Sequence, residues 1–369
     1  MKIPGAKPYC PDIPEVLAEM QTVLSSGRLV LGPYTERFEK AFAEYIGVRH
    51  GIAVATCSAA LEIVMRYAGV KGGEVIVPAN TFVACANTIL YAGGTPVFAE
   101  TETENFCLSL SDVAKKITPK TKAVMTVHLS GLPMPKIAEL RDLCRSKGLF
   151  LIEDSSHAHG ATIEGVKVGS IGDAGCFSLF ATKVITSGVG GIITTNDEKL
   201  MEFARSLRHQ GEGGSVENII HLGNDWLMDE MRAVLAFHEL RHLEEILAER
   251  NSIAAKYAAR IAKMPHVRAS AVPKNVRHSY YKFLAILDDT VDKEKLVLGM
   301  KAAGIAMNSL YAKLIYRHPV YQEMGFPAGL CPETEEMMKH QISLPIYSRM
   351  SEEEIGYVMD TLDKLLSSS

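Results

Sequence analysis

A lysine enclosed by apolar and glycine-rich sequence can hold an aldehyde as an imine, which a fully solvated lysine does poorly. Lys183 has such surroundings, in Gly-Cys-Phe-Ser-Leu-Phe-Ala-Thr-Lys-Val-Ile-Thr-Ser-Gly-Val-Gly-Gly, residues 175–191. Upstream, Asp154 follows the apolar run Leu149–Glu153 and opens Asp-Ser-Ser-His-Ala-His-Gly. An amine to capture an aldehyde and a carboxylate to keep a pyridine nitrogen protonated are what pyridoxal phosphate chemistry requires, since the protonated ring accepts carbanion charge. Taken singly, Asp154 reads equally as a turn or cap residue.

Other residues gain meaning beside this pair. Ser58 stands at the start of a helical pattern set by Ala60, Leu61, Val64 and Met65, where a hydroxyl and free amides can meet an anion. It is also a good plain N-cap. Ser178, on a strand just before Lys183, offers a second hydroxyl to the same phosphate. Phe82, at a strand-to-helix junction, is either a ring-stacking residue or ordinary core. His157 lies close behind Asp154, as one of 12 histidines. The glycines at 188, 190 and 191 suit close backbone approach to a ligand, or a turn.

These residues need a scaffold that gathers strand ends. Short apolar runs at Glu74–Pro78, Thr95–Phe98, Ala123–His128, Leu149–Glu153, Gly175–Phe180 and Gly191–Thr195 predict strands. Ala59–Tyr67, Phe82–Tyr91, Lys136–Lys147 and Glu198–Arg208 predict helices between them. The alternation implies a mostly parallel α/β sheet, whose carboxyl edge is where open sheets bind ligands. Met231–Ala262 contains neither Pro nor Gly and predicts one long helix bridging two domains. Beyond it, Tyr280–Leu287 predicts a strand, a helix begins near Lys293, and Ser351-Glu-Glu-Glu predicts a capping box. The expected division is a large domain over 1–245 and a small C-terminal α/β domain over 246–369, with the N-terminal segment packing on the small one.

With 369 residues, 47% hydrophobic, the chain can bury a large core. A formal charge of −4 gives no basic field for nucleic acid or anionic lipid. No apolar run reaches the roughly 18 residues of a membrane span, and the opening residues lack a secretory pattern, so a cytoplasmic protein is expected. Seven scattered cysteines without Cys-x-x-Cys spacing predict reduced thiols and no metal site.

Cys57–Leu61, Pro78–Phe82, Tyr91–Phe98, Ile152–Gly160 and Phe177–Lys183, in that order and spacing, resemble the DegT/DnrJ/EryC1/StrS family of sugar aminotransferases. The resemblance runs from Gly32-Pro33 through Leu222–Met228 to Ser343-Leu-Pro345. It implies an aspartate-aminotransferase-like fold of type I, a pyridoxal 5'-phosphate cofactor, and a homodimer with active sites at the subunit interface. By the same resemblance, Lys183 is the Schiff-base lysine and proton carrier, Asp154 pairs with the pyridine nitrogen and Phe82 stacks on the ring. His157, where the family usually has Gln, lies beside the ring. Ser58, the Ala59 amide and Ser178 hold the phosphate. Asn224 or Asp225 reaches the phosphate of a second subunit, although a carboxylate at 225, where the family has Asn, would repel it. Arg28, Tyr311, Lys313, Tyr316, Arg317 and His318 fall in regions the family uses for substrate.

Leu227 and Val189 replace a frequent Arg and Glu of the family. The resemblance implies amino transfer, with L-glutamate as donor, to a ketosugar carried on a nucleotide. A keto sugar acid or cyclitol ketone is the alternative acceptor, and a noncatalytic cofactor-binding regulator a more distant one. The family's dehydratases lack the lysine, so Lys183 argues against that branch.

Overall fold

Seven strands build the central sheet of the computed structural model, which describes residues 2–367. They are β1 (His50–Val54), β2 (Glu74–Pro78), β3 (Thr95–Ala99), β4 (Thr121–Val127), β5 (Phe150–Asp154), β6 (Ala174–Ser178) and β7 (Gly191–Thr195). Their spatial order is β1-β7-β6-β5-β4-β2-β3. β7 runs against both β1 and β6, and the remaining pairs are parallel. Every residue of β6 and β7 is buried, as expected of strands covered by helices on both faces.

The predicted strands 74–78 and 191–195 match residue for residue, and the other four shift by one or two positions. β1 has no counterpart in the sequence-based expectation: five residues with Gly51 among them carry too little pattern. The helices Cys57–Tyr67, Ala84–Tyr91, Ile137–Lys147 and Glu198–Leu207 lie where connections between strands were expected.

The single long helix expected over 231–262 is instead two, Glu230–Arg241 and Leu243–Ile261. The break is at His242, which leaves the helical conformation at φ −99°, ψ 4°. Its ring joins Asp12 through Nε2 at 2.9 Å and Glu245 through Nδ1 at 2.9 Å. These contacts hold the junction against the N-terminal segment, a tertiary demand that local helix propensity does not register.

A three-stranded antiparallel sheet, β8 (Val267–Ala269), β9 (Phe283–Leu287) and β10 (Gln341–Leu344), forms the centre of a second core. Tyr257, Met300, Val358 and Leu362 pack into it from three helices, and Ile3 joins from the N-terminus. The last helix, Glu352–Ser367, begins with the predicted capping box: the Ser351 amide donates to Glu354 Oε2 at 2.8 Å, and the Glu354 amide to Ser351 Oγ at 3.1 Å. The boundary expected at 245/246 falls within the helix Leu243–Ile261, and we propose that the division lies a few residues later, between Leu247 and Ile253. Leu243, Ile246 and Leu247 pack in the large core, whereas Ile253, Tyr257 and Ile261 pack in the small one. The stretch from Leu310 to Met338 returns to the large core. No helix among the described residues is long and apolar enough to cross a membrane.

Asp12 ties the helix Ile13–Ser26 to both His238 and His242. Hydrogen bonds donated to Glu245 and Asp12 raise the His242 pKa above its usual 6.5, and those accepted from His242 and His238 lower the Asp12 pKa below 3.8. The His242 contribution is therefore full below pH 6.5 and is lost as pH rises through its elevated folded value. The Asp12 contribution is present above pH 3.8 and fades as pH falls through its depressed one. Hydrogen exchange of residues 13–26 should accelerate modestly as pH rises past neutrality, after correction for intrinsic rates. His242→Gln should flatten that dependence, and an unchanged profile in the variant would refute the linkage.

Candidate active site

Three strand ends converge on one cavity. Asp154 is the last residue of β5, Ser178 the last of β6, and β2 ends just before the loop that carries Phe82. The cavity has a volume of about 400 Å³. Lys183, Asp154, Phe82, Ser58, Ser178 and Tyr311 all line it. Residues expected to act together but scattered over 254 positions of sequence, from Ser58 to Tyr311 (311 − 58 + 1), thus share one wall.

Asp154 is buried, and both its oxygens are already oriented. The Ser156 amide donates to Oδ1 at 3.0 Å and the Cys85 thiol to Oδ2 at 3.1 Å. Burial, followed by the negative charge of Asp154, pushes the Cys85 thiol well above its ordinary pKa, so it stays a donor. Each carboxylate oxygen accepts more than one hydrogen bond, so the group can still meet a ring nitrogen from the cavity.

The side of the cavity expected to meet a phosphate is the N-terminus of the helix Cys57–Tyr67. Thr56 is its N-cap, with Oγ1 accepting from the Ala59 amide at 3.0 Å. Two expectations change here. Ser58 is not the cap, which frees its hydroxyl for the cavity it lines. The Ala59 amide is engaged by Thr56 rather than offered to an anion, so the free first-turn amides are those of Cys57 and Ser58. Gly191 explains part of the glycine run: a Cβ there would lie 2.5 Å from the Cys57 nitrogen, so glycine lets β7 pass against the helix start.

Phe82 is 54% exposed and lies 5.7 Å, centroid to centroid, from Tyr311. An aromatic face left open in a cavity rules out the core-packing alternative and suits a flat ring. His157 is fully buried. It stacks on Tyr281 at 4.4 Å and 22°, and its Nε2 is 3.3 Å from the Tyr311 hydroxyl. Burial, then the charge of Lys183, holds the His157 pKa well below the ordinary imidazole value, so the ring is neutral. Its Nδ1 has no hydrogen-bond partner among the described residues.

Lys183 follows a turn in which its amide donates to the Phe180 carbonyl at 2.9 Å. Its Nζ lies 4.6 Å from the centre of the Tyr281 ring. Tyr281, Cys85 and Thr56 were not among the sequence candidates. Tyr281 lies just before β9, far along the chain, and no spacing rule links it to Lys183. Thr56 was legible as a Thr three residues before a small-residue helical turn.

Of the predicted substrate residues, only Tyr311 reaches the cavity wall. Tyr316 is corrected outright: its ring is fully buried 5.4 Å from Phe98, with its hydroxyl donating to Glu335 at 2.8 Å, so it is core. Arg28 is exposed and donates to the Leu31 carbonyl. Lys313 is exposed, Arg317 pairs with Glu335 at 3.8 Å, and His318 precedes the short helix Pro319–Glu323. Asn224 and Asp225 are exposed, the Asn224 side chain accepting from the Asp225 amide at 2.9 Å. Neither touches this cavity.

A buried carboxylate at one end, an open aromatic face, hydroxyls and free amides at a helix N-terminus, and a lysine above them fit pyridoxal phosphate. The fit rests on the charge and donor character of each wall. Known proteins point the same way. The model of the DegT/DnrJ/EryC1/StrS aminotransferase family matches residues 12–363. The spore coat polysaccharide biosynthesis protein SpsC of Bacillus subtilis is 31% identical over 364 residues, covering 94% of this chain and 93% of SpsC. GDP-perosamine synthase of Vibrio cholerae is 33% identical over 335 residues, covering 90% of each. Among solved structures, the PLP form of the sugar aminotransferase Spr1654 of Streptococcus pneumoniae, itself described as putative, superposes with a TM-score of 0.91. It is 26% identical and covers 100% of this chain and 99% of that one.

Proposed function

Since this chain belongs to the DegT/DnrJ/EryC1/StrS aminotransferase family, and is a pyridoxal-phosphate-dependent aminotransferase, we propose that it moves an amino group from L-glutamate to a nucleotide-linked ketosugar. The observation that carries the site assignment is the single cavity where Lys183, Asp154, Phe82, Ser58 and Ser178 meet. The nucleotide is supported by the relative whose product name contains GDP.

When bound, pyridoxal phosphate draws electrons from the carbon bearing the nitrogen, which lets a proton leave and return there. The residues supply everything else. Lys183 would provide the amine that holds the aldehyde and would hold or release that proton at its Nζ. Asp154 would keep the ring nitrogen protonated. Ser58, Ser178 and the amides of Cys57 and Ser58 would hold the phosphate, Phe82 would offer its face to the ring, and neutral His157 would stand beside it. Tyr311 meets the substrate. Arg28, Lys313, Arg317 and His318 lie outside this wall and would have to act from its approach.

We propose a cytoplasmic homodimer. Phe82, Phe180 and Val189 border the cavity at 54%, 49% and 37% exposure, an apolar rim suited to cover by a second copy. In that arrangement Asn224, rather than the anionic Asp225, would reach across to the other copy's phosphate. Val189 also keeps a second acceptor class open: with valine where the family has Glu, the wall loses a negative charge that would repel a keto sugar acid.

Keto sugars with and without a nucleotide, offered with glutamate, test the substrate class. 2-Oxoglutarate should form at least about tenfold faster with the nucleotide-linked acceptor, about 1.4 kcal/mol of recognition. Equal rates with free keto sugars or cyclitol ketones would refute the nucleotide requirement.

A further inference from the structure

Tyr281, like Tyr311, reaches the cavity wall around Lys183 from the C-terminal part of the chain, and the family resemblance gives it no role. It lies just before β9, is 8% exposed, and lines the cavity. Four contacts surround it. His157 stacks on its ring at 4.4 Å, its hydroxyl lies 3.3 Å from Thr182 Oγ1, and Lys183 Nζ and Lys282 Nζ lie 4.6 Å and 5.1 Å from its centroid. Thr182 is the residue before Lys183, so both the lysine and its immediate neighbour are held by one aromatic side chain.

We propose that Tyr281 is a positioning residue for Lys183: the face of its ring holds the amine over the cavity, and its hydroxyl anchors the turn carrying that amine. The inference rests on Lys183 being the cofactor lysine. An aromatic quadrupole attracts an ammonium within about 6 Å, more strongly where water is excluded. A lysine side chain has four rotatable carbons, and without such a partner its amine would sample many positions. Tyr281 stands two residues before β9 of the small sheet while its side chain packs in the large core, so the contact ties the amine's position to the segment that enters that strand.

The amine's other neighbours define what a titration would read. Cys57 faces it from the helix Cys57–Tyr67, Asp154, His157 and His159 from β5 and the loop after it, and Lys282 from the small domain. Burial, then Arg250 and Lys183, lowers Lys282 to about 8, so this second lysine titrates within the accessible range. The readout must therefore be specific to Lys183.

Cofactor-free protein, incubated with pyridoxal phosphate and cyanoborohydride across pH, gives such a readout when the labelled peptide is identified by mass. In Tyr281→Leu, the pH midpoint of Lys183 labelling should fall by about half a unit or more, because the ring stabilises the ammonium. Tyr281→Phe, which keeps the ring, should retain the parent midpoint. Tyr281→Met serves the same purpose if the Leu variant does not fold. An unchanged midpoint in the aliphatic variants, or an equal fall in Tyr281→Phe, would overturn the role of the ring. Labelling confined to another lysine in the parent would instead overturn the assignment of Lys183 itself, so the two failures are distinct.

Discussion

Lys183→Ala should abolish amino transfer, with kcat lowered by at least about 10⁴-fold, the upper range for losing a positioned acid–base group. The variant should fold, since among the described residues Lys183 makes no side-chain hydrogen bond or ion pair beyond its approach to the Tyr281 ring. It should still bind pyridoxal phosphate through the walls that Ser58, Ser178, Phe82 and Asp154 provide, because those contacts do not pass through the lysine. Binding without turnover is what separates a chemical role from a structural one. Turnover within tenfold of the parent would remove Lys183 from the reaction. The neighbouring lysine, Lys282, donates to the Gly5 carbonyl and does not line the cavity, so it should not rescue the variant.

Asp154→Ala should lower kcat by about 10²- to 10³-fold, the scale for removing one preorganised electrostatic group. Cofactor should still bind, more weakly. The loss has a specific cause: without a carboxylate at the end of β5, the ring nitrogen keeps no proton and the ring accepts charge poorly. Asp154→Asn is the sharper comparison, because it preserves shape and an acceptor for the Ser156 amide while losing the charge. Its rate should stay near that of the alanine variant. Near-normal turnover in Asp154→Asn would show that the charge is not needed.

Much of this site is legible in the sequence because its parts fall at strand ends, and strand ends can be read from short apolar runs. Asp154 was placed that way, and the structure makes it the last residue of β5; Ser178, expected inside a strand over 175–180, is instead the last residue of β6. The capping box at Ser351 was readable because both partners lie within one turn. What escaped depends on contacts between distant segments. Tyr281 comes to Lys183 only because the segment before β9, about a hundred residues along the chain, packs back onto the large core. The break at His242 arises from Asp12, which no local helix propensity reflects. Tyr316 was misplaced because an amphipathic residue in a turn gives no sign of direction, and only the packing of Phe98 against it settles that it faces inward. At Ser58 it is the plain-cap alternative that fails, since Thr56, one position before the helix, takes the cap.

The most direct test is a visible spectrum of the protein reconstituted with pyridoxal phosphate, recorded before and after adding L-glutamate, alongside Lys183→Ala. The parent should show a visible band that free cofactor lacks, and glutamate should bleach it with release of 2-oxoglutarate. The variant should lack that band. A parent that stays colourless after reconstitution, or a band that persists in Lys183→Ala and is bleached equally, would contradict the account.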